Sequence, residues 1–308
     1  MRNNFYALCG LIHLKILYFC GNKSKMRMAE QKFARYIKRL EIDALWGNHK
    51  HITWNLRPDV NILSGVNGVG KSTILNYVDR VLHMMSKPDE YKKGMFSGIH
   101  VDFEPADANA AYFDMIRSVD NELSVAEGIK ALDGGQIRSF LDWRLYDLQR
   151  KFLNFQVNLG NRMIQLLQGG DANAHEAALR IAQGKGRFQD MLDTLYADTG
   201  KQIDRTSNEL QFLQFGEKLS VYKLSAGEKQ LLVILLTVLL QERKPYVLLM
   251  DEPEISLHVE WQQHLIRFIR EINPNVQIIL TTHSPAVIMD GWLDAVTEVD
   301  DITQKESK

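Results

Sequence analysis

The feature that most constrains this chain is a pair of short runs in its C-terminal third, "PYVLLMDEPE" (245–254) and "VQIILTTHSP" (276–285). Each is apolar at nearly every position before its polar end, so side chains on both faces of the strand must be buried. Strands of this kind need cover on both sides, which helices supply when they connect parallel strands. Helical patterns stand where that demands them. "HVEWQQHLIRFIREI" is amphipathic and stops before Pro274, and "LLVILLTVLL" (231–240) is apolar throughout but, at ten residues, suits a buried helix rather than a membrane span. The expectation is an α/β fold with a mostly parallel central sheet, an antiparallel N-terminal strand lead-in and a helical insertion.

"RYIKRLEIDAL" (35–45) and "HKHITWNL" (49–56) read as two strands that form a three-strand lead-in with "DVNILSG" (59–65). The last of them runs into "SGVNGVGKST" (64–73), and "STILNYVDRVLHMM" continues with Ile74, Leu75, Val78, Val81 and Leu82 at helical spacing. Gly65, Gly70, Lys71 and Ser72 fit the pattern of glycine, four residues, glycine, lysine and a hydroxyl. Strand, glycine loop and helix are the context that pattern requires. Successive backbone N–H groups and the helix N-terminus then converge on one spot suited to a phosphate. Asn67, Gly68, Gly70, Lys71, Ser72 and Thr73 form the expected nucleotide-contacting set.

Three further segments give that cradle a chemistry: "LSAGEKQ" (224–230), "VLLMDEPE" (247–254) and "ILTTHS" (279–284). A buried strand ending in Asp251-Glu252 delivers two carboxylates to the carboxyl edge of the sheet, where α/β proteins bind ligands. Asp251 and Ser72 are expected to hold Mg²⁺, and Glu252 to act as base or water-orienter against the γ-phosphate of ATP. Lys71 reaches the β- and γ-phosphates, and His283 donates to the γ-phosphate. Each piece also has a plainer reading. The carboxylates could be a solvated strand end, His283 a capping or core histidine, and "LSAGEKQ" a helix start with Ser225 as N-cap and Glu228 as third residue.

In this order the four segments resemble Walker A, the signature motif, Walker B and the H-loop of ABC-type ATPases. "LSAGEKQ" is similar to the form seen in SMC-like and RecF-like ATPases. The "DEPE…LH" form resembles OLD-type proteins and the ATPase components of Septu-like and retron-associated antiphage systems. The resemblance implies that Ser225 and Gly227 contact nucleotide held by an opposite subunit, giving a head-to-tail homodimer around ATP. It also implies slow hydrolysis in the cytoplasm and an effector carried on another chain, since only 25 residues follow His283. His258 stands where transporters have aspartate. No glutamine clearly fills the Q-loop, for which Gln136 and Gln149 are candidates.

Between the two halves, Leu141, Leu145, Leu148, Phe152, Phe155 and Leu159 predict a long amphipathic helix from about Gln136 to Leu167. Two shorter helices are expected after it, one on each side of "GKG" (184–186). The domain reading is a leader or flexible tail (1–28), an N-terminal core part (29–105), a mainly helical lid (106–214) and a C-terminal core part (215–308). The leader is apolar but carries His13 and Lys15, is too interrupted to span a bilayer, and has no clear cleavage site. A net charge of −1 gives no global attraction to nucleic acid, though residues 23–39 are densely basic, which keeps a DNA-repair or DNA-tethering role open. Cys9 and Cys20 are the only cysteines, so a cysteine-based metal site or thiol nucleophile in the core is excluded. A membrane-transporter subunit would need an adenine-stacking aromatic and a firm Q-loop, and neither is evident.

Overall fold

The computed structural model describes residues 31–45, 50–86, 98–118, 137–169 and 173–304; the leader 1–28 and Gln136 lie outside these. Strands β1 (Tyr36–Leu45), β2 (Lys50–Asn55) and β3 (Val60–Ser64) precede helix α1 (Lys71–Ser86). Strands β4 (Ile99–Glu104) and β5 (Phe113–Arg117) follow, then helices α2 (Phe140–Gln168) and α3 (Ala174–Leu195). A small antiparallel meander of β6 (Lys201–Ile203), β7 (Gln211–Gln214) and β8 (Glu217–Ser220) leads to α4 (Ala226–Leu240). The chain closes with β9 (Tyr246–Asp251), α5 (Val259–Ile272), β10 (Val276–Thr281), α6 (Pro285–Met289), β11 (Val296–Glu298) and β12 (Thr303–Gln304).

The central sheet has the order β11-β3-β10-β9-β5, and every pairing in it is parallel. Both of its faces are covered, as the doubly apolar runs require. Leu63, Val247, Leu249 and Ile279 pack with α1 and the antiparallel sheet β12-β2-β1-β4. Ile62, Leu248, Met250, Ile278 and Leu280 pack with the helices of the insertion and with α4 and α5. Alternate residues of one strand thus serve two separate cores.

Three local expectations need correction. The segment 59–65 does not join β1 and β2 in one lead-in sheet: β3 pairs only in the parallel sheet, while β1 pairs with β2 and β4. Strand β5 was not foreseen. It comes from the mixed stretch after residue 106 and lies beside β9 in the parallel sheet. Finally, no break occurs at "GKG", because α3 runs unbroken through Gly184 and Gly186.

The long helix is where its stripe placed it. Leu141, Leu145, Leu148, Phe152 and Phe155 are buried, packed in the core that contains α4, so the stripe is an intramolecular face. Its start is fixed by Ser139, whose side chain accepts from the Asp142 N–H while Asp142 reaches back to the Ser139 N–H. Lys229 of α4 donates to the other oxygen of Asp142 at 2.8 Å, tying the insertion to the core.

The two sheets are stapled by one polar side chain. Gln277 is fully buried in β10; its Oε1 accepts from Ile37 N and its Nε2 donates to Ile37 O and Arg57 O, all at 2.8 Å. Replacing it by a shape-matched apolar residue would remove all three bonds, taking the Gln277 partner from both backbone groups of Ile37, while Arg57 O would keep its bond from Asn61 Nδ2 at 2.9 Å. Gln277→Leu is expected to lower unfolding stability by about 2–3 kcal/mol in urea denaturation. A change below about 0.5 kcal/mol would show that those groups find other partners.

Candidate functional site

The carboxyl ends of β3, β9 and β10 lie side by side, so the loops that leave them form one edge. The loop after β3 turns on glycine. Gly68 has φ +78° and Gly70 φ +111°, backbone regions that L side chains rarely adopt, and α1 then starts at Lys71. Asn67, Gly68, Gly70, Lys71, Ser72 and Thr73 line an open cleft of about 660 Å³ together with Glu252 and His283. The structure therefore brings the phosphate-loop set together with two of the residues expected from distant segments.

Asp251 lies at the centre of the edge. Its Oδ1 accepts from Ser72 Oγ at 2.9 Å and from Thr281 Oγ1 at 2.7 Å. Thr281 is the register partner of Asp251 in the sheet, so the three contributing segments meet at one oxygen. The donor set fits Mg²⁺, which binds through one or two protein oxygens plus phosphates. Among the described residues no group of three or more His, Cys, Asp or Glu could hold a metal unaided.

Glu252 occupies the left-handed region at φ +49°, unusual for a residue with a side chain. Two bonds hold it there: its N–H donates to Thr281 O at 3.2 Å and to Thr281 Oγ1 at 3.1 Å. The twist turns its carboxylate into the cleft, where Oε1 is 3.5 Å from His283 Nε2. Lys71 is buried, and its ammonium donates to Gly65 O at 2.9 Å and Val66 O at 3.3 Å. Burial pulls its pKa below the usual lysine value, partly opposed by the charges of Glu252 and Asp251.

Ser225 and Gly227 are not in this cleft. They sit at the head of α4, where Ser225 is the N-cap and exchanges a capping box with Glu228, as its plainer reading has it. Glu228 is also paired with Lys201 at 2.8 Å in a buried bridge from the meander. Gly227 has a packing reason of its own: a Cβ there would lie 2.2 Å from the Ser256 carbonyl oxygen. Ser256 and Leu257 belong to the loop after Glu252, so the signature segment and that loop touch backbone to backbone. His258 ends this loop as the residue before α5 and makes no side-chain cap.

The Q-loop candidate Gln149 is a scaffold residue. Its Oε1 accepts from Leu210 N at 2.8 Å and its Nε2 donates to Leu210 O at 3.2 Å, far along α2. The end of β5 beside β9 is instead occupied by Arg117 and Ser118. Arg117 is in register with Asp251, and its guanidinium donates to Asn76 and Asp79 of α1. Ser118 Oγ donates to Glu252 O at 2.5 Å and accepts from Gln230 Nε2 at 3.3 Å, linking the signature helix to the end of β9.

Sequence reading also missed Glu254. Its buried Oε1 accepts from Thr282 Oγ1 at 2.5 Å, His283 N at 2.9 Å and Ser284 N at 3.3 Å, so it fixes the loop that carries His283. The sequence shows a second glutamate in "DEPE", but nothing local says that it turns inward while Glu252 turns out.

A model of the AAA_21 family, described as "AAA domain, putative AbiEii toxin, Type IV TA system", matches residues 93–290, well over half of the chain. The chain belongs to the AAA_21 family. As an AAA_21 protein it is an ABC-type ATPase related to antiphage defence ATPases. It is 22% identical to the Septu protein PtuA of Bacillus thuringiensis, over 82% of this chain and 72% of that protein. It is 31% identical to "Retron Vc95 probable ATPase" of Vibrio cholerae serotype O1 biovar El Tor, over 42% of this chain. That match spans 28% of the retron protein's length. Among solved structures, an SMC head bound to the C-terminal winged-helix domain of ScpA aligns with 88% of this chain at 15% identity and a TM-score of 0.46. The family match begins after the phosphate loop, so the cradle at 65–73 rests on its own geometry. No described helix of this AAA_21 chain is long and apolar enough to cross a membrane.

Removing the Glu254 anchor tests how the edge is built. Glu254→Ala is expected to cost about 2–3 kcal/mol and to speed amide hydrogen exchange at His283 and Ser284 at least about tenfold. Unchanged exchange at these two amides would mean that the loop is held elsewhere.

Proposed function

We propose that this protein binds and slowly hydrolyses ATP with Mg²⁺ in the cleft, closing head to tail on a second copy around two nucleotides. The closed dimer controls a separate effector protein in bacterial defence against phage, in the cytoplasm. The observation that carries the reading is Asp251 Oδ1, which gathers the hydroxyls of Ser72 and Thr281 beside the phosphate loop. Such a convergence has an obvious use in holding a metal–triphosphate, and the kinship with PtuA and the retron protein supports the role in defence.

Each side chain then has a task. The N–H groups of residues 67–73 and the N-terminus of α1 receive phosphate oxygens. Lys71 leaves the carbonyls of Gly65 and Val66 to reach the β- and γ-phosphates. Ser72 and Asp251 would hold Mg²⁺, which when bound neutralises charge on the phosphates. Glu252 orients and deprotonates water, and His283 donates to the γ-phosphate from within reach of the same carboxylate. Ser225 and Gly227, standing outside the cleft of their own chain, serve the nucleotide of the partner copy. Ser118 joins the α4 side chain Gln230 to the backbone of Glu252, so engagement of a signature segment in one site is felt at the catalytic glutamate of the other.

Three variants separate the steps when followed by light scattering with and without MgATP. Lys71→Ala is expected to abolish nucleotide binding. Glu252→Gln is expected to lower turnover by at least about a hundredfold and trap the dimer. Ser225→Arg is expected to keep binding but lose the dimer; an ATP-dependent dimer that survives this change would sink the sandwich. Trapped Glu252→Gln, isolated from the native host, is expected to carry a second, different protein at fixed stoichiometry. A homodimer bringing only nucleic acid, lost at raised salt, would point to DNA tethering instead.

A further inference from the structure

At the opposite end of α4 from the signature segment lies a second, half-open cavity of about 250 Å³, bounded by α2, α3 and the C-terminal ends of α4 and α5. Phe155, Leu159, Phe188, Met191, Leu239 and Ile272 give it an apolar lining. Nothing in the nucleotide chemistry uses it.

Three features distinguish it from a packing fault. First, Gly184 lines the cavity from the middle of α3. Glycine is disfavoured inside helices, yet a Cβ at this position would meet no atom within 4 Å, so close packing does not demand it. The absent side chain leaves room in the cavity. Second, the wall beyond α4 is built from Glu242 and Arg243, consecutive residues at φ +53° and +58°. Left-handed backbone in two successive residues with side chains is strained and clusters at functional sites. Third, the mouth is unevenly charged. Arg162 is neutralised by Glu242 and Arg180 by Glu176. Lys185, Arg187 and Arg243 also line it, and among the described residues none of the three makes an ion pair, against the single unpaired carboxylate of Glu271. Lys185 donates to Gln156, and burial lowers its pKa, so its charge is partly desolvated and open to an anionic partner.

We propose that this cavity is a binding site for a small amphipathic anion, an apolar body of one ring system or a short acyl chain bearing a carboxylate, sulfonate or phosphate. The apolar body fills the space in front of Gly184, and the anionic head rests among Lys185, Arg187 and Arg243. The volume lies at or below the low end for small-molecule sites, which limits the body to that size. Charge decides the head group, because a neutral apolar ligand would leave the three cations unused.

The fluorescent sulfonate 1-anilinonaphthalene-8-sulfonate is a suitable probe on the full chain. Saturable binding at one site is expected, displaced by octanoate. The triple variant Lys185→Gln, Arg187→Gln, Arg243→Gln is expected to weaken it at least about tenfold, a loss of 1.4 kcal/mol or more. Gly184→Phe, which fills the cavity from within α3, is expected to abolish it with no loss of melting temperature. Gly184→Ala, too short to fill the space, retains binding and guards against a folding artefact. Lys71→Ala is expected to leave the dye bound, which separates this site from the phosphate cradle. Dye binding that survives Gly184→Phe in a folded protein would overturn the assignment. So would equal affinity for the uncharged analogue N-phenyl-1-naphthylamine. An acidic phenylalanine peptide that displaces the dye where octanoate does not would overturn the small-molecule occupant in favour of a protein segment.

Discussion

One carboxylate oxygen organises the nucleotide edge. Asp251 Oδ1 accepts a hydroxyl from the first turn of α1 and another from the end of β10, at 2.9 and 2.7 Å. This arrangement exists only because β3, β10 and β9 are parallel neighbours in register, which brings their carboxyl ends to one level. That sheet in turn requires cover on both faces. The insertion helices and the antiparallel sheet are thus conditions for the site as much as decorations around it.

Around that oxygen, backbone geometry does what side-chain type alone could not. Glu252 and Glu254 are two residues apart on the same loop, yet one faces the cleft and the other the interior. The left-handed turn at Glu252, clamped by Thr281, reverses the chain. Glu254 is thereby placed where three donors from residues 282–284 converge on it. A carboxylate buried in this way is tolerable because its Oε1 is well satisfied, and its cost is offset by ordering the loop that positions His283. The left-handed residue and the buried acid work as one unit.

The phosphate loop, the Asp-Glu strand end and the capped start of α4 were all legible from sequence, since each has a local physical signature. The apolar runs were equally legible and gave the parallel sheet and the buried α4. What escaped were partnerships across long distances. Strand β5 has a mixed pattern because Phe113, Asp114 and Met115 are only partly buried, so it lacks the run that marked β9 and β10. Gln277 reads as an imperfection in an apolar strand, and its staple to Ile37 joins residues 240 positions apart. Gln149 was a plausible Q-loop residue by type alone. The bonds that make it a scaffold are to Leu210, which no local pattern could reveal. The break expected at "GKG" failed for a different reason: tertiary packing of Ala178, Phe188 and Leu192 carries α3 through two glycines that propensity alone counts against it.

The buried polar groups of the molecule are satisfied to different degrees. Between the sheets, Gln277 satisfies both its oxygen and its nitrogen, and at the far end of the sheet Asn273 donates to Gln241 and to Lys244 O. Other buried polar atoms have no hydrogen-bond partner, among them Trp54 Nε1 in β2, Thr237 Oγ1 within α4, and Gln230 Oε1 and Glu254 Oε2 beside the nucleotide edge. Satisfied buried polar groups specify a rigid scaffold, whereas an unmet one lowers the cost of rearranging its surroundings. Gln230 belongs to α4, and its nitrogen already touches Ser118, which holds the carbonyl of Glu252. Its free oxygen therefore lies where α4 meets the end of β9.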